Sequence, residues 1–509
     1  MNSKMIIRAL LGSSALLWAS TAIAQNPAPP ADDSAMPDQS DATADAAIAE
    51  AGQVDDAQAK IELLQAQVEA LQEALDGVKA AMVKTTPSWK GGPLFEDKET
   101  GFSFKPKGFV QFDAGYVGFP NGRELTGTVG GLNYNNLGFN TRARRLVLGA
   151  EGTLPGGFGY KAEFNFAQGT VDYEDIILTY QRKDSPFQVT IGNFYPYSSL
   201  ETVTSSRFGS MLERASFTDA FGYNRRLGIG LAYIDTKADR YTLSAGLFSQ
   251  PINDTGFNRT GWEASVRGTF SPTLGDTRLH LGASYHHRAN QRDVQNGQYR
   301  SRPLTHITDQ RFVDTGRIAA DGDDSAGVEL GLIHKSLHFA AEGQKLWVKG
   351  YRPGETFGAN NSAGGGTFFS GNPSFTGGYA EVGYFLTGET RGYKGGKWDR
   401  TKVLKPFDKG GWGAIQLNGR IDYVNLNDRV GGLSTSVAAP FYVNGGKQLG
   451  YQLSLIWNPV DYLRFMAQYG RVDVTGGPRA ATVDPTSSDP VNRRKYGVDT
   501  AAIRAQLDF

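Results

Sequence analysis

The sequence predicts an all-β transmembrane protein, about 16 antiparallel strands closed into a β-barrel and preceded by a coiled-coil helix. Three observations predict it. From Lys107 onward apolar and polar residues alternate with a period of two, in segments of about ten residues. The connections between these segments alternate short and long. The last segment sets Ala501, Ile503, Ala505, Leu507 and Phe509 on one face against Arg504, Gln506 and Asp508 on the other, and it stops on an aromatic residue.

The N-terminal elements come first. Lys4 and Arg8 precede an apolar run with Leu10, Leu11, Leu16, Leu17 and Trp18, and Ala22-Ile23-Ala24 follows as an A-x-A cleavage site. Residues 1–24 therefore read as a signal peptide, with the mature chain starting near Gln25. Residues 25–51, rich in Pro, Ala and Asp, read as a disordered acidic linker. Over 52–86 apolar residues recur at Val54, Ile61, Val68, Leu75 and Met82 and at Ala57, Leu64, Leu71 and Val78, a heptad pattern for an oligomeric coiled coil. Glu62, Glu69, Glu73 and Asp76 on its polar face argue against a helix lying on a membrane, whose polar face is basic.

Zero formal charge hides an asymmetry: the segment before Thr86 is acidic and the rest is basic. The chain has no cysteine, which excludes a lipid-anchored N-terminus, disulfides and thiolate metal sites.

Residues 101–509 form the predicted barrel. Tyr160, Ala162, Phe164 and Phe166 alternate with Lys161, Glu163 and Asn165, and Ile421 and Tyr423 with Arg420 and Asp422, so one face is greasy and the other wet. Strands are expected near residues 107, 142, 158, 173, 187, 226, 240, 260, 277, 326, 337, 376, 412, 448, 462 and 499. Short connections such as Leu154-Pro155-Gly156-Gly157 and Asn458-Pro459-Val460-Asp461 have turn chemistry. Long ones run from Tyr195 to Arg225, Arg288 to Ser325, Lys349 to Phe375, Leu426 to Lys447 and Thr475 to Val498. Such one-sided elaboration suits an outer-membrane barrel with periplasmic turns and external loops, and an even strand count puts both termini, and the coiled coil, in the periplasm. Gly388 to Gly411 breaks the pattern: by parity it should be a short turn, yet it is long and basic, so it is an elaborated turn or the count fails nearby.

Several stretches resemble one family, the phosphate-selective porins O and P. They are Phe102-Ser103-Phe104-Lys105, Arg144-Arg145, Thr204-Ser205-Ser206-Arg207 with Leu212-Glu213-Arg214, Arg300-x-Arg302-Pro303, and Leu386-Thr387-Gly388-Glu389-x-Arg391-x-Tyr393. The resemblance implies a homotrimer of 16-stranded barrels in the outer-membrane lipid, each pore narrowed by its third external loop, here Tyr195 to Arg225. The terminal strand ending at Phe509 implies recognition by the barrel-assembly machinery. The expected function is passive diffusion of small solutes, with a preference for anions such as phosphate. The alternatives are a general or organic-solute porin, or an envelope tether acting through its coiled coil.

An anion passing a pore needs cationic side chains that replace its hydration yet release it, and arginine suits phosphate because its planar fork donates paired hydrogen bonds. The family's arginine ladder falls on Arg144, Arg145 and Arg300, with Arg302 beside it; Arg207 and Arg214 lie on the inward loop, and Arg225 and Arg226 close it. Strand parity sends Arg145 into the lumen and leaves Arg144 open. Constriction acids are expected at Glu174 and Asp175, with parity favouring Asp175. Two positions depart from the family: Phe109 stands where a ladder arginine is expected and Thr202 where a constriction lysine is. Aromatics including Tyr195, Tyr197, Phe208, Phe217, Phe221 and Tyr223 crowd the loop, either packing it on the wall or offering a surface to an organic solute. No Ser/His/acid set has persuasive spacing, His334 and His338 straddle a predicted turn, and the sequence gives no sign of an enzyme, a metal, a cofactor or a nucleic-acid partner.

Overall fold

The computed structural model describes residues 58–76 and 88–509, apart from 90, 253–260, 291–295, 352–365, 368–370 and 431–442. The expected signal peptide and acidic linker lie outside these residues. Residues 58–76 form a helix, α1, in which Ile61, Leu64, Val68, Leu71 and Leu75 are all at least half exposed. The described part of the heptad stripe is thus uncovered in the single chain, while Val54, Ala57, Val78 and Met82 of the expected coiled coil lie outside the described residues.

The second unit is a closed antiparallel barrel. Its strands are β1 Phe102–Val117, β2 Gly138–Leu154, β3 Phe158–Asn165, β4 Asp172–Tyr180, β5 Phe187–Phe194, β6 Arg226–Ile234, β7 Tyr241–Phe248 and β8 Trp262–Phe270. They continue as β9 Thr277–Ala289, β10 Val313–His334, β11 Leu337–Gly350, β12 Ser374–Phe385, β13 Ala414–Asp428, β14 Val443–Val460, β15 Leu463–Thr475 and β16 Lys495–Asp508. Each pairs with its neighbours, and β16 closes onto β1 from Asp508 opposite Phe109 to Thr500 opposite Val117. Beyond the last strand, Phe509 N–H donates to Gly108 O at 3.0 Å and Gly108 N–H returns to Phe509 O at 3.1 Å. All 16 strands fall where the alternation places them. A closed sheet pairs every backbone donor, which the bilayer interior demands.

Alternation sets the two faces. Ile421, Tyr451, Leu453 and Ile503 are exposed on the outside, while Arg420, Asp422, Gln452 and Arg504 are buried within the lumen. At the short-turn rim, Gly156 and Gly157 both take positive φ, at +83° and +92°, in the turn from β2 to β3.

The walls are uneven. Strands β3 to β8 have 8 or 9 residues, whereas β9 to β16 have 12 to 22. β10 starts at Val313, twelve residues before the end of the expected loop, and its outer half pairs with the segment Asn296–Ser301. The polar run Asp321-Gly322-Asp323-Asp324 hides the outer half of that strand in the sequence, because above the hydrocarbon the outward face no longer has to be apolar.

Gly388 to Gly411 is an elaborated turn, and the strand count holds through it. It folds back into the lumen as a small hairpin, Gly392–Lys394 paired with Lys397–Asp399 around Gly395-Gly396 at positive φ. Gly395 N–H donates to Asp239 Oδ1 at 2.8 Å, Arg267 Nη2 donates to Gly396 O at 2.7 Å, and the Tyr393 hydroxyl meets His280 Nδ1 at 2.6 Å.

Candidate functional site

The third loop, residues 195–225, crosses the lumen and is held there by the wall. It contains two short helices, α2 Leu200–Val203 and α3 Ser216–Phe221. Glu342 on β11 accepts from the first two N–H groups of α2, at 2.9 and 2.8 Å, and from the Tyr379 hydroxyl at 2.9 Å. Asp422 on β13 accepts from Ser216 N–H of α3 at 2.9 Å. Glu381 on β12 holds the Ser210 hydroxyl at 3.0 Å and forks with Arg420, which also reaches Glu201 of the loop. Glu342 and Asp422 thus cap donors that a helix start leaves unpaired. Phe217, Phe221 and Tyr223 are buried against the wall, so they pack the loop.

On the opposite side the polarity is reversed. Glu213 of the loop accepts from Arg144 at 2.8 and 2.9 Å and from Arg504 at 2.8 Å; Arg504 in turn forks with Asp113 at 2.7 Å. Burial disfavours the Glu213 charge, yet the guanidinium groups of Arg144 and Arg504 hold its carboxyl well below the usual carboxylate range. His306, from the fifth loop, is pushed well below the usual histidine range by burial, with Glu213 opposing in part.

Two doublets of like charge enter the lumen through β-bulges. Opposite Gln111 and Phe112 on β1 stand Arg145 and Ala143, so Arg144 is an extra residue on β2 and both arginines turn inward. Opposite Ala162 and Phe164 on β3 stand Ile176 and Tyr173, so Glu174 and Asp175 on β4 together face Glu163. Parity alone favours one residue of each doublet; the bulges admit both. Asn193 donates its side-chain amide to Glu174 O at 2.7 Å, satisfying a carbonyl the second bulge frees.

The acids are engaged. Asp175 binds Lys161 at 2.6 Å and Arg225 at 2.5 Å, and Glu174 also meets Arg225. Arg226 pairs with Glu263, and Arg302 with Asp219 at 3.2 Å and Asp309 at 3.0 Å. Arg300 is exposed on the fifth loop, opposite Asp314.

Four of the expected cations, Arg145, Arg207, Arg214 and Arg300, have no carboxylate partner among the described residues, and the first three of them lie in the lumen. Arg145 donates only to the Gln111 side-chain oxygen, at 3.1 Å. Arg214 donates to the carbonyls of Glu201 and Thr204, both at 2.8 Å, and to the Tyr195 hydroxyl at 3.2 Å. Arg207 lies 5.2 Å from the centre of the Phe109 ring and 5.5 Å from that of Phe208. Phe109 therefore carries a loop cation over its face rather than supplying one, and the Thr202 hydroxyl bonds with Ser199 at 2.9 Å.

These groups border two cavities of about 240 and 250 Å³, both lined by Arg145, Arg214, Tyr195, Thr204, Ser205 and Trp398. The first lies toward the long loops and includes His306; the second lies toward the short turns and includes Phe109, Lys161 and Lys397. Lys397 and Trp398 come from the hairpin tip of the long turn, so the passage is narrowed from both rims. Its meeting point is Phe208, whose carbonyl accepts from Arg391 at 2.5 Å and whose ring lies 5.3 Å from Arg400. Sequence reasoning missed Lys397, Trp398 and Arg391 as pore residues; the anomalous length of their turn was the available signal.

The chain matches the family Phosphate-selective porin O and P over residues 124–509. It belongs to that family. This porin is 36% identical over 441 residues to an uncharacterized protein of Caulobacter vibrioides, covering 85% of this chain and 78% of the relative. It is 25% identical over 397 residues to Porin O of Pseudomonas aeruginosa, covering 75% of this chain and 85% of the relative. Among solved structures, the outer membrane channel DcaP of Acinetobacter baumannii aligns with a TM-score of 0.44 at 13% identity, covering 82% of this chain and 99% of that one. An anion-selective porin from Comamonas acidovorans aligns with a TM-score of 0.44 at 10% identity, covering 80% and 100%. Family and barrel together make the protein an outer-membrane channel.

Proposed function

We propose that this porin passes small anions by diffusion, selecting them at the neck where Arg145 and Arg214 stand without carboxylate partners. That observation carries the reading: the neighbouring acids Glu174, Asp175, Glu201 and Glu213 are each bound to a cation, whereas these two guanidinium groups are not. The hydroxyls of Thr204, Ser205 and Ser206 line the same passage and replace an anion's water without competing for its charge. Phosphate is one candidate solute. Tyr195 and Trp398 at the neck favour a second reading, in which organic acids slide along aromatic faces while their carboxylate meets the arginines. Reversal potentials across planar bilayers in a chloride gradient test the first reading, and a cation-selective result sinks it. Saturating conductance blocked by phosphate, against saturation by an aromatic acid, separates the two.

We infer further that the working unit is a homotrimer, with α1 as a periplasmic coiled coil joining protomers through its exposed heptad stripe, and that the strand ending at Phe509 is read by the barrel-assembly machinery. Deleting residues 25–86 leaves conductance intact on this reading. Loss of envelope integrity around a closed pore would favour the tether instead.

A further inference from the structure

On β1 to β8 the outward positions of the barrel carry no Asp, Glu, Lys or Arg. The tall wall differs. On β10, β11, β14, β15 and β16 outward charges begin at Asp324, Lys345, Lys447, Arg471 and Asp499, after about ten residues of each strand counted from the short-turn rim, which is the length a tilted strand needs to cross the hydrocarbon. They sit beside Trp347, Tyr451 and Tyr469, aromatics of the kind that mark a membrane interface. These charges therefore stand at headgroup level, on the leaflet side of the long loops.

One group of them is laid out for an anion. Lys447, Thr475 and Lys495 lie in one cross-strand row, Lys447 opposite Thr475 and Thr475 opposite Lys495, all facing outward. Both lysines are exposed and have no carboxylate partner among the described residues. Two strand spacings put their backbones about 10 Å apart, so their four-carbon stems can converge over the Thr475 hydroxyl. The acids nearby are already engaged: Arg471 binds Asp473 at 3.0 Å and Asp499 at 2.7 Å, and the Tyr469 hydroxyl also donates to Asp499 at 2.8 Å.

We propose that Lys447, Thr475 and Lys495 form a docking site on the outer wall for the phosphate of a phosphorylated lipid headgroup. The lipid chains lie along the apolar surface below, over Tyr451, Leu453 and Ile503. The two ammonium groups bracket the phosphate, and the threonine hydroxyl donates to it. This site is separate from the pore and does not depend on the solute that the pore carries.

The test uses the full-length protein in phosphatidylcholine nanodiscs with a minor share of phosphatidic acid, counting retained phosphatidic acid by native mass spectrometry. Wild type retains it, and Lys447→Gln/Lys495→Gln lowers retention about tenfold or more, since each cation near a membrane surface contributes severalfold. Lys447→Arg/Lys495→Arg keeps both charges and retains the lipid, which guards against a folding defect in the glutamine pair. Neutralising Lys183 and Lys237 on the opposite rim changes nothing. Equal retention by wild type and the glutamine pair overturns the proposal, as does displacement of the lipid by millimolar inorganic phosphate, which would make this a free-anion site.

Discussion

On the β11 to β13 side of the lumen, Glu342, Glu381 and Asp422 face inward and each grips a piece of the third loop; on the β1, β2 and β16 side, Arg144 and Arg504 grip the same loop through Glu213. Arg145 stands one residue from Arg144 and grips nothing but an amide. The difference teaches that counting charges at a pore is a poor guide to selectivity. What matters is which charges remain without a partner once the loop is fastened.

That comparison can be broken from either side. The largest effect is expected from Glu381→Ala, which leaves the buried Arg420 with one partner and frees Ser210; losing one partner of a buried pair costs about 3–5 kcal/mol. Single-channel recordings should show severalfold higher conductance with a noisy open level. An unaltered trace would mean that the loop is held by other contacts. Next is Arg145→Glu, which replaces a partnerless cation at the neck by an anion and should shift the chloride-to-potassium permeability ratio by roughly tenfold toward cations. Equal ratios would remove Arg145 from the selectivity site.

Asp175→Asn sharpens the comparison in the opposite direction. It releases Lys161 and Arg225 from their shared carboxylate, and anion preference should rise by roughly twofold in the same reversal-potential measurement. The smallest effect is expected from pH. Glu213 is held well below the usual carboxylate range, so its grip on Arg144 is present above that range and lost only as pH falls through the lowered value. His306 is also lowered and so stays neutral, adding no charge to the neck as pH falls through the usual histidine range. Selectivity should be flat over that window, and a rise in anion preference near pH 6 would show that His306 titrates there.

The barrel was legible because alternation is local: each strand declares its wet and greasy faces within ten residues or so. The neck was less so. Arg144-Arg145 and Glu174-Asp175 each break the period of two, and adjacent like charges inside a strand were the visible sign of the bulges that turn both residues inward. Glu342, Glu381 and Asp422 gave no sign of their task, since each meets a loop residue well over a hundred positions away. The turn from Gly388 to Gly411 was visible as an anomaly of length, but that it folds back into the lumen depends on Asp239, Arg267 and His280, which are scattered over three other segments.

The bond between Phe509 and Gly108 also fixes an order of events. The two strands it joins are separated by nearly the whole barrel sequence, so their pairing carries the greatest loop-closure cost and belongs to the end of folding. Until then β1 and the last strand made each present a bare edge, a template for pairing with any other extended chain. The waiting time before closure, rather than the strength of the finished sheet, is therefore the interval in which this protein is open to aggregation.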